Sequence, residues 1–349
     1  MRGSPLAREL GVIYAALIGY ASLHPFSGWR DQGISPFAWS AIWPKVFLSS
    51  DITFNIAAYV PLGVLLAWAL FPWLRGMVAV MAAALAGLAL SFALESLQTY
   101  LPTRIPSLTD LAANGLGALV GAILGALLAA TLLERGILKT LSDRWFGMHT
   151  PRALILVFLW LFASLFPQSM LFGHGNVVSL IGPVPGYPFT PVEFARVEAA
   201  VTAASLFAAG VLLASCFTPA APRLLLLALF VLIACGVRAF SQTILFSPQQ
   251  ALAWLTPGGQ RGLMWGAGAI VVAVALPRAM QLTLAAIAVT FATVVVNLAP
   301  ANPYYVSIVQ ELNPGRFLNF NGLTQFVSAA WPFVAALYVT LSLARGERH

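Results

Sequence analysis

Apolar residues run along this chain in ten long stretches. They lie at 9–27, 52–71, 77–100, 111–133, 153–172, 197–216, 224–246, 262–277, 279–299 and 326–344. A helix needs about 20 apolar residues to cross the hydrocarbon core of a bilayer, and most of the stretches reach that length. The eighth is short and ends at Pro277-Arg278, which sets the range at eight to ten spans. The pattern predicts an all-α, polytopic transmembrane bundle of about ten helices.

Composition excludes the alternatives. Only 8% of the residues are charged and 60% are hydrophobic, with a mean hydropathy of +0.88. Soluble domains carry about 25% charged residues, so this exterior must face lipid. The ten Trp and twenty-three Phe suit an interfacial aromatic belt. The net charge of +7 comes from single Lys and Arg residues between apolar runs, with no basic face, and argues against a nucleic-acid partner. Cys216 and Cys235 sit in or beside apolar stretches and read as small buried residues. Arg2 and Arg8 precede the first stretch, but Ala21-Ser22-Leu23-His24-Pro25 lacks a clear cleavage site, so that stretch is predicted to be a retained span.

The loops predict an orientation. Segment 134–152 holds Arg135, Lys139, Arg144 and Arg152, whereas 173–195 holds no basic residue. The positive-inside rule places the first in the cytoplasm and the second outside, with both termini cytoplasmic in the bacterial inner membrane. The predicted organisation is a four-span membrane domain at 1–133, a basic loop at 134–152, and a second membrane domain of about six spans at 153–349. Two outer loops, 173–195 and 300–325, are rich in Gly, Pro or aromatic residues and read as interfacial segments or as a lid.

Three of the first four spans bring polar residues to one depth. Asp51 and Asn55 share a face at i, i+4 where the second begins. Glu95 and Gln98 share a face where the third ends. Asp110 and Asn114 repeat the i, i+4 spacing where the fourth begins, and Arg104 lies in the short loop between the third and fourth. Asp51 and Asp110 also suit helix N-termini. Capping does not explain Asn55, Asn114 or Glu95, because polar groups within a span are costly and face a bundle interior or a cavity. Gly117, Gly121 and Gly125 form a small-residue ridge on the face of Asn114, which lets another helix approach closely.

These residues resemble a known family. Asp51-x3-Asn55-x5-Pro61-x-Gly63, then Glu95-x2-Gln98, then Arg104 and Ser107-Leu108-Thr109-Asp110-x3-Asn114-Gly115-x-Gly117-x3-Gly121, are similar in order and spacing to the VanZ-like family. The resemblance covers about residues 10–133. It implies a bacterial cytoplasmic-membrane protein linked to the cell envelope and to teicoplanin-type resistance. It implies no established reaction, and the chain continues for a further 200 or so residues beyond the short family pattern.

That extension carries a pattern of its own. At a shift of 147 positions Asp51 falls on Glu198, Gly63-Val64-Leu65-Leu66-Ala67 on Gly210-Val211-Leu212-Leu213-Ala214, Gly115-Leu116 on Gly262-Leu263, and Gly121 on Gly268. Glu95 falls on Gln242 and Asn114 on Arg261. A four-span repeat of this kind would be parallel, as in some transporters. Within it, Arg238 either pairs with Glu198 or holds an anionic headgroup.

Three functions fit. The first is a non-enzymatic protein that binds a lipid-linked glycan, a lipid headgroup or a glycopeptide, besides its contacts with membrane lipids, at the outer leaflet. The second is an enzyme on a lipid-linked substrate, with Asp51, Glu95 and Asp110 holding a divalent cation or supplying a base and His24 beside them. The third is a transporter, which the clustering at one face rather than the midplane disfavours. The first is preferred, with no cofactor expected.

Overall fold

The computed structural model describes residues 5–344 apart from 25, 38–48, 72, 130–143, 148–149, 179–189, 247 and 300–317. Ten α-helices occupy them: α1 Pro5–Leu23, α2 Ser49–Leu70, α3 Gly76–Gln98, α4 Leu108–Ala129, α5 Thr150–Ala163, α6 Pro191–Ala214, α7 Arg223–Leu245, α8 Pro257–Ala273, α9 Arg278–Leu298 and α10 Leu318–Ala344. Each falls on one of the ten apolar stretches. Their starts carry ordinary helix-initiation chemistry. Thr190 and Glu193 form a reciprocal capping box ahead of α6, and Thr256 caps α8 through the Gly259 N–H, with Pro at the first helical position in both.

Seven of the described helices are long and apolar enough to cross a membrane, and Arg152–Ala163 is a shorter apolar helix. Their outward faces settle which solvent they suit. On α3, Met77, Met81, Leu85 and Leu88 form an exposed stripe, and on α7, Leu225, Leu229 and Leu232 do the same. Water-soluble monomers rarely expose apolar area on this scale, so these faces are lipid-facing. The molecule is an all-α multi-pass membrane bundle.

The chain divides into two compact units, Met1–Asp143 and Arg144–His349. In the first, α2 packs most closely on α4. A Cβ on Gly117 would meet the Ile56 carbonyl, one on Gly121 the Val60 carbonyl, and one on Gly125 the Val64 backbone. The contacts climb both helices together, so α2 and α4 are parallel. Gly63 answers from the other side, where a Cβ would meet the Ala118 carbonyl. α3 runs back between their ends, with Gly87 against Ala118 and Leu88 against Gly115. The four-residue glycine spacing thus sets backbone-to-backbone packing in an interior where no water drives helices together.

In the second unit α6 is the central helix, with Leu206, Val211 and Leu212 fully buried in the main apolar core. It pairs in parallel with α8, where a Cβ on Gly258, Gly262 or Gly266 would meet the carbonyls of Ala195, Ala199 or Ala203. Gly268 faces open space, whereas Gly121 is pressed on α2. The expected match of Gly121 with Gly268 is therefore out of register by helix face.

One predicted span is cut short. The stretch at 153–172 forms a helix only to Ala163. Beyond it the chain turns repeatedly, Phe172 adopts a left-handed φ of 57°, and Gly175 follows at φ 84°. Hydrophobicity alone could not reveal this break, because the segment after it is also apolar and buried, with Met170, Leu171 and Phe172 all in the core.

Candidate functional site

The polar residues of the first unit meet where α3 ends and α4 begins. Ser107 precedes α4, and its Oγ accepts the N–H groups of Thr109 and Asp110 at 3.2 and 3.4 Å. Ser107, not Asp110, is therefore the capping residue, and Asp110 sits in the first turn. The backbone N–H of Ser107 donates to Glu95 Oε2 at 2.8 Å. A buried carboxyl group is thus seated on the N-terminus of α4, whose first N–H groups lack intrahelical partners. Glu95 is only 4% exposed and lies within electrostatic reach of Asp110 and Arg104.

One turn back on α3, Ser91 is fully enclosed and accepts from Asn114 Nδ2 at 2.9 Å. The Tyr59 hydroxyl is hydrogen-bonded to Ser91 as well. Ser91 therefore joins α2, α3 and α4 at one point. Asn114 Oδ1 is buried with no hydrogen-bond partner. Buried polar atoms rarely stay unsatisfied, because each costs about 1–3 kcal/mol.

Two of the predicted residues have local work. Gln98 Nε2 donates to the Ser22 carbonyl at 3.0 Å and Arg104 Nη2 to the His24 carbonyl at 2.7 Å. Both satisfy carbonyls at the C-terminal end of α1, which a helix leaves unpaired. Burial pushes the Arg104 guanidinium below its usual range, and the Glu95 carboxylate pulls it back up. His24 stands beside this end with its ring 5.7 Å from that of Tyr20. Asn55 is half-buried one turn inside α2. The Asp51 side chain lies outside the described residues, as do much of the segments 173–195 and 300–325 and most of the basic segment 134–152.

Tyr59 and Ser91 escaped the sequence reading. A signal was available: Tyr59 follows Asn55 by four residues and Ser91 precedes Glu95 by four, so both extend the polar faces by one turn.

Of the candidates in the second unit, Glu198 is 4% exposed, and its Oε2 accepts from Thr256 Oγ1 at 2.6 Å. Gln242 is buried on α7, and Arg261 is exposed in the first turn of α8. Arg238 does not pair with Glu198. Its Nη1 donates to the carbonyls of Ser164 and Phe166 at 3.0 and 2.8 Å, while Ser241 donates to that of Leu165. Arg238 and Ser241, three residues apart on α7, so satisfy the backbone where α5 breaks. Gln168 Nε2 and Ser328 Oγ lie at 2.8 and 3.1 Å from His174 Nδ1. With Gln168 donating there, the ring proton belongs on Nε2, facing Ser164 Oγ at 3.4 Å. Complete burial, with Arg238 nearby, pushes His174 down to about 3. Nothing in the spacing of these residues announced this network, because its members come from four separate segments.

Among the described residues no three His, Cys, Asp or Glu side chains lie close enough to hold a metal ion. The triad expected to hold a cation includes Asp51, whose side chain lies outside the described residues.

The fold and this polar end define a multi-pass helical membrane protein with a small buried carboxylate–amide cluster in its first unit. Residues 7–129, the N-terminal third, match the family model for VanZ/LLP1. That span contains all seven residues of the predicted cluster. No curated protein and no solved structure gives a significant match to the chain.

Proposed function

We propose that the first unit binds the hydroxyl-bearing headgroup of a cell-envelope lipid or lipid-linked glycan at the Glu95–Asn114 end. The observation that carries this reading is the unpaired Asn114 amide oxygen. Asn114 Oδ1 is buried with no donor, and its amide is bonded to Ser91, one turn from Glu95, whose Oε2 accepts the Ser107 N–H. Arg104 gives Nη2 to the His24 carbonyl and also lies within electrostatic reach of Glu95. An unpaired amide oxygen calls for a ligand group that donates, as a sugar hydroxyl does, and not for a phosphate oxygen.

The scattered basic residues support a bacterial cytoplasmic-membrane location with both termini inside and this polar end outward. A glycopeptide of the teicoplanin type is also rich in hydroxyl donors, and the VanZ/LLP1 match supports testing it.

The test is binding by the full chain in lipid nanodiscs, with a polyprenyl-linked disaccharide and teicoplanin as separate probes. Saturable binding that Asn114→Ala weakens at least tenfold supports the reading. Equal binding by the wild type, Asn114→Ala and Glu95→Gln, all correctly folded, removes it.

A further inference from the structure

We infer that the α2–α3–α4 segment is duplicated as α6–α7–α8, with the parallel pairing of its first and third helices kept and a register that changes by two residues between the second and third helices. Three independent matches carry it. First, Gly76 and Gln98, the bounds of α3, lie 147 positions before Arg223 and Leu245, the bounds of α7. Second, the close contacts of the α2–α4 pair correspond to those of the α6–α8 pair. Gly117 faces the Ile56 carbonyl and Tyr59, and Gly266 faces the Ala203 carbonyl and Leu206. Ile56 and Tyr59 stand 147 positions before Ala203 and Leu206, but Gly117 stands 149 before Gly266. Third, the capping residues follow the same larger shift, since Ser107 stands 149 before Thr256 and each caps the helix that follows.

The change of register has a visible cause. Nine residues, 99–107, join α3 to α4, and eleven, 246–256, join α7 to α8. The longer connection contains the 3-10 turn Pro248–Gln250. A two-residue insertion there moves everything after it from 147 to 149. It also explains why Gly268, the partner of Gly121 at the smaller shift, meets nothing.

In this register the chemistry of the copies separates. Each seats a buried carboxylate on the capping residue of its third helix, but from different helices: Glu95 comes from α3, and Glu198 comes from α6 at the position of Asp51. Arg238 occupies the position of Ser91, and Leu263 that of Asn114. The second copy has lost the unsatisfied amide and has turned the Ser91 position to hold the broken end of α5. The unpaired amide oxygen thus belongs to the first copy alone.

An experimental structure of the full chain in nanodiscs tests this directly. Superposition of the α2–α4 pair on the α6–α8 pair should place Ser107 on Thr256 and Gly117 on Gly266, with the extra residues in 246–256. A superposition that needs reversed chain direction, or that places Gly121 on Gly268, overturns the inference. Thermal stability gives a second measurement on the same full chain. Gly266→Leu should lower the melting temperature as Gly117→Leu does, whereas Gly268→Leu leaves it unchanged. A fall for Gly268→Leu equal to that for Gly121→Leu would restore the single 147-residue shift and sink the inference.

Discussion

Glu95 Oε2 accepts the backbone N–H of Ser107 at 2.8 Å, so a buried carboxylate on α3 closes the N-terminus of α4. The bond ties the acid to the helix that also presents Asn114, and it fixes the two on one side of the first unit.

Glu95→Gln keeps an oxygen for the Ser107 N–H, whereas Glu95→Leu leaves that group unpaired. The expected cost of the leucine is about 1–3 kcal/mol, with the glutamine well below it. Thermal unfolding of the purified chain in detergent measures both. Equal loss for the two variants would mean that the charge, not the hydrogen bond, holds α4.

Asn114 and Ser91 share a buried bond at 2.9 Å. Side-chain bonds between membrane helices contribute about 0.6–2 kcal/mol. A double-mutant cycle of Asn114→Ala and Ser91→Ala should therefore return a coupling in this range. Strict additivity would show that the bond contributes nothing to stability.

Arg238 supplies the Ser164 and Phe166 carbonyls, which no helix satisfies. Arg238→Met should strand both at about 1–3 kcal/mol each, and Arg238→Lys should recover part of the loss. Folded yield and proteolysis after residue 163 give the readout. Wild-type resistance in the methionine variant would contradict the capping role.

His174 carries a pH dependence whose sign is fixed. Its pKa falls from 6.5 to about 3 in the folded chain, because burial disfavours the charged ring. The unfolded chain therefore binds the extra proton first as pH drops. The stability contribution is complete above pH 6.5 and is lost on descending toward pH 3, at up to about 1.4 kcal/mol per pH unit. His174→Gln should flatten that part of the stability profile. An unchanged slope in the variant would assign the acid sensitivity elsewhere.

The sequence by itself determined the ten helices, because an apolar run of membrane length has one way to satisfy its backbone in lipid. It also determined that Glu95, Asp110 and Asn114 would lie near one depth, since i, i+4 spacing and the short loop through Arg104 leave little freedom. Tertiary structure decided the rest. The break at Ala163 depends on Arg238 and Ser241, which arrive from a helix some 75 residues away and satisfy carbonyls that local sequence leaves open. The capping role of Ser107 depends on the direction of its Oγ, and the nearby Asp110 gave the more obvious signal. Gln98 and Arg104 also reach the carbonyls at the end of α1, a contact their spacing does not announce. The register of α8 was hidden because Gly262, Gly266 and Gly268 are alike in composition and differ only in what a Cβ would meet. Periodicity fixes which residues share a face, and only the packed neighbour decides what that face is for.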